Sequence, residues 1–247
     1  MTSWTTLRAR SQFGRTLIAL LSTLSIALVL AAHANAAATT INVNSGTGKD
    51  TNSGSATSPL KTLSKALTLA HAGTTINLAD GGYSLASGEQ FSTVNGPQPV
   101  VVPSGITIQG NGGTGAGTVL FGSSNQIGLL LAGDATIRNV GLSGFGAAIK
   151  ASQGTQNLSG IQVRGGGIRL TGTANATLSG PVHLTPNFPF SLDETRFEFL
   201  TGTAVSVSDQ AQLTMTGGDF FGANQGSPNC DTSQTAIVAT GSARVSL

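Results

Sequence analysis

Apolar and polar residues alternate in short runs along most of the chain, as in Thr40-Ile41-Asn42-Val43, Ile106-Thr107-Ile108, Val182-His183-Leu184, Phe197-Glu198-Phe199, Val205-Ser206-Val207 and Leu213-Thr214-Met215. A period of two predicts half-buried strands. The stretch GLLLAGDATIRNVGL at 128–142 returns as AVSVSDQAQLTMTGG from Ala204 and as AIVATGSARVSL from Ala236. With these copies superposed, Leu129, Val205 and Ile237 fall together, as do Ala135, Ala211 and Ala243, and then Ile137, Leu213 and Val245. Two shorter copies lie between, Ala148-Ile149-Lys150-Ala151 and Gly167-Ile168-Arg169-Leu170, 20 and 19 residues apart in step. The later steps, Ile168 to Val205 and Val205 to Ile237, are 37 and 32 residues, which suits one turn carrying a loop or nearly two turns. Short strands separated by Gly, Asn, Ser and Thr cannot each bury a core. Stacked turn upon turn they make one continuous apolar column, so the period near 20 predicts a solenoid.

One segment follows a different period. Leu60, Leu63, Ala66, Leu67 and Ala70 recur at helical spacing between the start signal Ser58-Pro59 and the stop at Gly73. A single amphipathic helix there can cover the open end of a strand stack, whose backbone groups would otherwise invite end-to-end association. Asp50 and Asn52 precede it in a Gly- and Ser-rich loop, where one carboxylate is too few for a hard cation and turn chemistry is the favoured reading. Glu89 is expected to be structural. Pro97 and Pro99, with Pro103 just beyond, argue against a regular strand over residues 94–102.

Composition excludes two classes. Only 9% of residues are charged but 39% are apolar, which is not the signature of a disordered chain. The pI near 9.0 would suggest nucleic acid as a partner, yet Arg8, Arg10 and Arg15 all precede the apolar run 17–32 and the small residues Ala34-Asn35-Ala36. That is the form of a secretory signal over residues 1–36. Its removal leaves nine basic against ten acidic groups, so nucleic acid is not expected as a partner, nor a membrane once the signal is cleaved. An uncleaved anchor is the alternative, disfavoured by the small-residue site and the lack of a charged stop-transfer pattern. Cys230 is the sole cysteine, so no internal disulfide can form.

Several pieces carry a resemblance to a known family: Gly48-Lys49-Asp50-Thr51-Asn52-Ser53-Gly54, Pro59-Leu60-Lys61-Thr62-Leu63, Ala72-Gly73-Thr74-Thr75-Ile76, Gly82-Tyr83, Ser87-Gly88-Glu89-Gln90-Phe91 and Val102-Pro103-Ser104-Gly105-Ile106-Thr107-Ile108-Gln109-Gly110. Over about residues 41–142 the chain resembles the family called domain of unknown function 1565, of the pectin-lyase-like superfamily. The resemblance implies an all-β, right-handed, single-stranded parallel β-helix with an N-terminal capping helix. The expected organisation is a signal over 1–36 and one β-helix domain over 37–247. Residues 37–127 form its family-like part with the cap, and 128–247 its repeating turns. Because 243–247 stop inside a strand pattern with no atypical terminal unit, the C-terminus is expected to be incomplete.

Candidate chemistry is sparse. Lys150 and Arg169 occupy equivalent outward positions on adjacent turns, where opposed like charges hint at an anionic ligand. Asp193, Glu194, Arg196 and Glu198 make the densest charge cluster. A lyase of the superfamily would need such carboxylates on Ca²⁺ and a basic group to abstract a proton; outside that alternative no cofactor is expected. The run 110–117 has no Lys-Ser or Lys-Thr and is not a phosphate cradle. Gly218-Asp219-Phe220-Phe221-Gly222 reads as a turn. His71 and His183 lack metal-ligand spacing, and no metal site is expected. The leading expectation is a secreted or cell-surface protein, with the periplasm also open, that contacts polysaccharide or cell-envelope glycan without catalysis. The alternatives are a lyase or hydrolase on acidic polysaccharide, with the 193–198 cluster as its site, and a structural surface stalk.

Overall fold

The computed structural model describes residues 39–94, 96, 101–111, 117–164, 166–179, 196–199, 203–216, 219–222 and 235–247; of these, 196–199, 219–222, 235 and 236 are described as backbone only. Residues 1–36 of the expected signal, His183, Asp193, Glu194 and Cys230 lie outside them, as does 112–116 of the Gly-rich run. The elements are β1 (Thr40–Val43), α1 (Leu63–Leu69), β2 (Thr75–Leu78), β3 (Gly81–Tyr83), β4 (Ser92–Thr93), β5 (Ile106–Gly110), β6 (Thr118–Phe121) and β7 (Gln126–Leu131). They continue with β8 (Ala135–Ser143), β9 (Ala147–Ala151), β10 (Thr155–Arg164), β11 (Ile168–Leu170), β12 (Asn175–Ser179), β13 (Arg196–Phe199) and β14 (Thr203–Val207). The last are β15 (Gln212–Thr216), β16 (Asp219–Gly222), β17 (Thr235–Ala239) and β18 (Arg244–Ser246).

The described chain is all-β apart from α1 and one 3-10 turn at Leu85–Ser87. A twelve-stranded sheet runs β1-β2-β5-β8-β10-β12-β15-β18, with β3, β6, β13 and β16 attached beside it. A six-stranded sheet runs β17-β14-β11-β9-β7-β4. Every pairing is parallel except that of β4 with β7. The long strands β8 and β10 serve two strips each: Thr136 and Ile137 pair with β5, whereas Gly141 and Leu142 pair with β6. They bend at Asn139 (φ 58°) and Gly160 (φ 57°), left-handed backbone that Asn and Gly accept most readily.

Registry makes the core. Ile41, Ile76, Ile108, Ile137, Leu158, Leu178 and Met215 are successive partners in one column and all are buried. Leu129, Ile149, Ile168, Val205 and Ile237 form the facing column in the second sheet. The 37- and 32-residue steps therefore join strands that are direct neighbours in the sheet. Leu129, Leu131 and Ile137 point inward as their alternation predicts.

Three local expectations differ from the structure. In the long sheet Ala135 lies in the column of Gln156, Ala176, Leu213 and Val245, and Ile137 in that of Met215, two residues out of register from the alignment of the sequence copies. The connection between the sheets lengthens from Leu131-to-Ala135 to Ala151-to-Gln156 to Leu170-to-Ala176, and a two-residue slip leaves every side chain on the same face. The helix begins at Leu63 with Thr62 as N-cap, because Leu60 is used as an extended rung bridging Val43. Residues 219–222 form strand β16 against β13 and are not a turn.

Candidate functional site

At the capped end two carboxylates hold the start of α1. Asp50 Oδ1 accepts from the amides of Lys61 and Thr62, both at 2.9 Å, and its Oδ2 accepts from Thr62 Oγ1 at 2.9 Å. Glu89, only 2% exposed, accepts from Leu63 N at 2.6 Å and from Ser64 N at 3.0 Å and Ser64 Oγ. Thr62 Oγ1 then takes the amide of Lys65 at 3.0 Å. These groups satisfy amides that a helix leaves unpaired in its first turn. Burial pushes the Glu89 carboxyl above the ordinary range, outweighing the opposite pull of the Ser64 and Leu63 donors, and nearby Asp50 adds to the rise. Asp50 and Glu89 are structural. Asn52 likewise spends its amide on Pro59 O at 2.8 Å.

The basic pair is adjacent in register, Arg169 beside Lys150, with Leu130 and Ser206 flanking them in the same outward column. Arg169 is exposed and Lys150 half-buried. Arg169 Nη2 donates to Gly146 O at 2.7 Å, so part of the guanidinium is already committed to backbone. Of the acidic cluster, Asp193 and Glu194 lie outside the described residues. Arg196 and Glu198 are backbone positions of β13, opposite Asp219 and Phe221 of β16 and opposite Gln162 and Arg164 of β10. Among the described residues no group of three or more His, Cys, Asp or Glu is placed to hold a metal ion. Nor is any described helix long and apolar enough to cross a membrane.

The most regular chemistry is on the outer face of the long sheet. Two residues apart on each strand, two polar columns run the length of the stack. One comprises Thr40, Thr75, Thr107, Thr136, Asn157, Thr177 and Thr214, and the other Asn42, Asn77, Gln109, Arg138, Ser159, Ser179 and Thr216. All are exposed or half-buried. The hydroxyls of Thr75, Thr107, Thr136, Thr177 and Thr214 and the amides of Asn77 and Gln109 make no hydrogen bond to the described protein, whereas Asn42 gives its amide to Gly54 O at 3.2 Å. Over the first three rows this face deepens into a groove of about 380 Å³, lined by Asn42, Asn77, Gln109 and Asn111 and walled by Ala56 and Pro59. Asn111 Nδ2 donates to Asp80 Oδ2 at 3.2 Å. Asp134 accepts the Thr155 amide at 2.7 Å and ties one strand row to the next.

Alternation identifies each outward Thr singly, but the columns emerge only once every strand is in register. The signal available in the sequence is the recurrence of Thr-Ile-Asn, Thr-Ile-Asn, Thr-Ile-Gln and Thr-Ile-Arg at 40, 75, 107 and 136. Unequal intervals between them obscure it.

The family model described as "Protein of unknown function (DUF1565)" matches residues 46–210, two thirds of the chain, and the chain belongs to that family. The match runs beyond residue 142, to the strands of the repeating part. No curated protein and no solved structure matches.

Proposed function

We propose that this member of the DUF1565 family is an exported or cell-surface protein, built as a right-handed parallel β-helix of the pectin-lyase-like kind, that contacts carbohydrate without transforming it. Support for the architecture comes from three strips of parallel strands, rungs repeating 19 and 20 residues apart, and a helix at the first rung. Export rests on the basic, apolar and small-residue order of residues 1–36.

The observation that carries the carbohydrate reading is the groove floored by Asn77 and Gln109. Each amide there offers two donors and an acceptor, unused by the protein, at the spacing of neighbouring strands. Sugar hydroxyls complement such groups, and polysaccharide or cell-envelope glycan is the ligand class. The groove carries no positive charge, so a neutral glycan suits it; the Lys150 and Arg169 row on the other sheet is the surface for an acidic one.

The test is a glycan array of neutral and acidic oligosaccharides on the mature chain. Retention is expected, with affinity about tenfold lower for Asn77→Ala/Gln109→Ala, the worth of one or two net hydrogen bonds. No retention on any glycan, or retention indifferent to that pair and to Lys150→Ala/Arg169→Ala, overturns the binding reading. Unsaturated products released from a polyuronate with Ca²⁺, and lost in Arg196→Ala or Glu198→Ala, overturn its non-catalytic half.

A further inference from the structure

We propose that the outer face of the long sheet is an ice-binding surface, whose ligand is the ordered water lattice of a growing ice crystal. The inference goes beyond the glycan reading: that reading uses the groove over the first three rows, whereas this one uses the periodicity of the whole array.

Water in ice repeats in two dimensions, so a protein face that engages it needs matching groups repeated in two dimensions on a rigid support. Parallel strands place successive rows about 4.8 Å apart, and two residues along a strand place the columns about 6.6 Å apart. Both lengths are on the order of the oxygen repeats on the prism faces of hexagonal ice. The rows hold those positions because the residue between the two columns is buried core in every row: Ile41, Ile76, Ile108, Ile137, Leu158, Leu178 and Met215 in succession.

Threonine suits the task. Its branched Cβ restricts χ1, so hydroxyl and methyl recur in a fixed relation from row to row. The hydroxyls of Thr75, Thr107 and Thr136 bond nothing in the described protein and are available to lattice water. Their methyl groups order neighbouring water without binding it. Charge would impose its own hydration, and in the two columns Arg138 is the single charged side chain. One such contact is weak, but seven rows engaged together add by multivalency, and an array fixed before it meets the crystal loses little freedom on binding.

The experiment is growth of a single ice crystal in a nanolitre drop of the purified mature chain. Faceted crystals and a gap between melting and freezing temperatures are expected. Thr107→Tyr and Thr136→Tyr, which raise a ring above the plane, should abolish both effects, while Ser124→Tyr on an exposed loop should leave them intact. Thermal melts of all three verify folding, and Thr107→Val, nearly isosteric, is the second variant should the tyrosines unfold; it should narrow the gap at least twofold. Rounded, unfaceted growth with the folded wild type overturns the proposal, as does faceting that persists in folded Thr107→Tyr or an unaltered gap in Thr107→Val. Adsorption to a crystalline polysaccharide without ice shaping also overturns it and leaves the glycan reading standing.

Discussion

The capped end and the repeating middle are held by different physics. Between residues 42 and 91 polar side chains are wired to specific backbone groups of other segments: half-buried Asp50 to 61 and 62, buried Glu89 to 63 and 64, and the buried Tyr83 hydroxyl to Val43 O at 3.2 Å as well as to nearby Ala79 O at 2.9 Å. Between residues 126 and 179 stability comes from columns of like residues, and the polar residues buried there among the described ones are the neutral Gln126, Gln156 and Gln162. Gln156, fully buried in the column of Ala135 and Ala176, donates to Gly133 O and Gln153 O, yet its Oε1 has no partner among the described residues. A neutral amide oxygen can be left so at modest cost; a buried carboxylate cannot. The cap therefore depends on a few specific groups, and the middle on the sum of many interchangeable ones.

The sharpest way to break that contrast is a paired measurement. Ile137→Ala, which opens a cavity in the middle of the column, should cost about 3 kcal/mol. Asp50→Ala, which removes no apolar area but strands two amides and a hydroxyl at the cap, should cost about 2 kcal/mol. Denaturant melts give both values, and amide exchange locates them: Asp50→Ala should raise exchange at α1 and β1 while leaving β8 to β12 protected. Loss of protection along the whole stack in Asp50→Ala would show that cap and middle are one cooperative unit.

Next in size is a pH effect confined to the cap. Burial raises the Glu89 carboxyl, so the folded chain holds that proton more tightly than the unfolded chain, whose value is near 4.5. The stabilisation is fully present below pH 4.5 and is lost as pH rises through the folded value, with a slope of at most about 1.4 kcal/mol per pH unit. Melts of wild type and Glu89→Gln across that window should converge at the acidic side in slope and differ as pH rises. An identical pH dependence in the two would remove Glu89 as the cause.

How much of this was legible in the sequence follows the same divide. Alternation is local, so inward Leu129 and outward Thr136 can be read without knowing what they pair with. Registry is not local. The connection after Leu131 is shorter than the one after Val207, and nothing in either turn announces that Ala135 sits opposite Gln156 and not in line with Ala211. The cap helix was visible from its spacing, but its start was not, because Leu60 serves helical periodicity and an extended rung equally well until Asp50 is seen to take the amides of 61 and 62. Glu89, 26 residues from Leu63, carries no mark of its partner.

The smallest expected effect completes the contrast. Thr136→Val exchanges the hydroxyl for a methyl on the outer face of the row whose inner residue is Ile137. The hydroxyl bonds nothing in the described protein, Val is as good a strand former, and the site is half-buried, so stability should change by less than about 0.5 kcal/mol. A residue that holds no part of the fold, yet repeats as Thr at 75, 107, 177 and 214, is not explained by folding. A cost above about 1 kcal/mol in a denaturant melt would return the column to structure, as a hydroxyl ladder that binds the rows together. A neutral result leaves its regularity to be accounted for by what lies outside the protein.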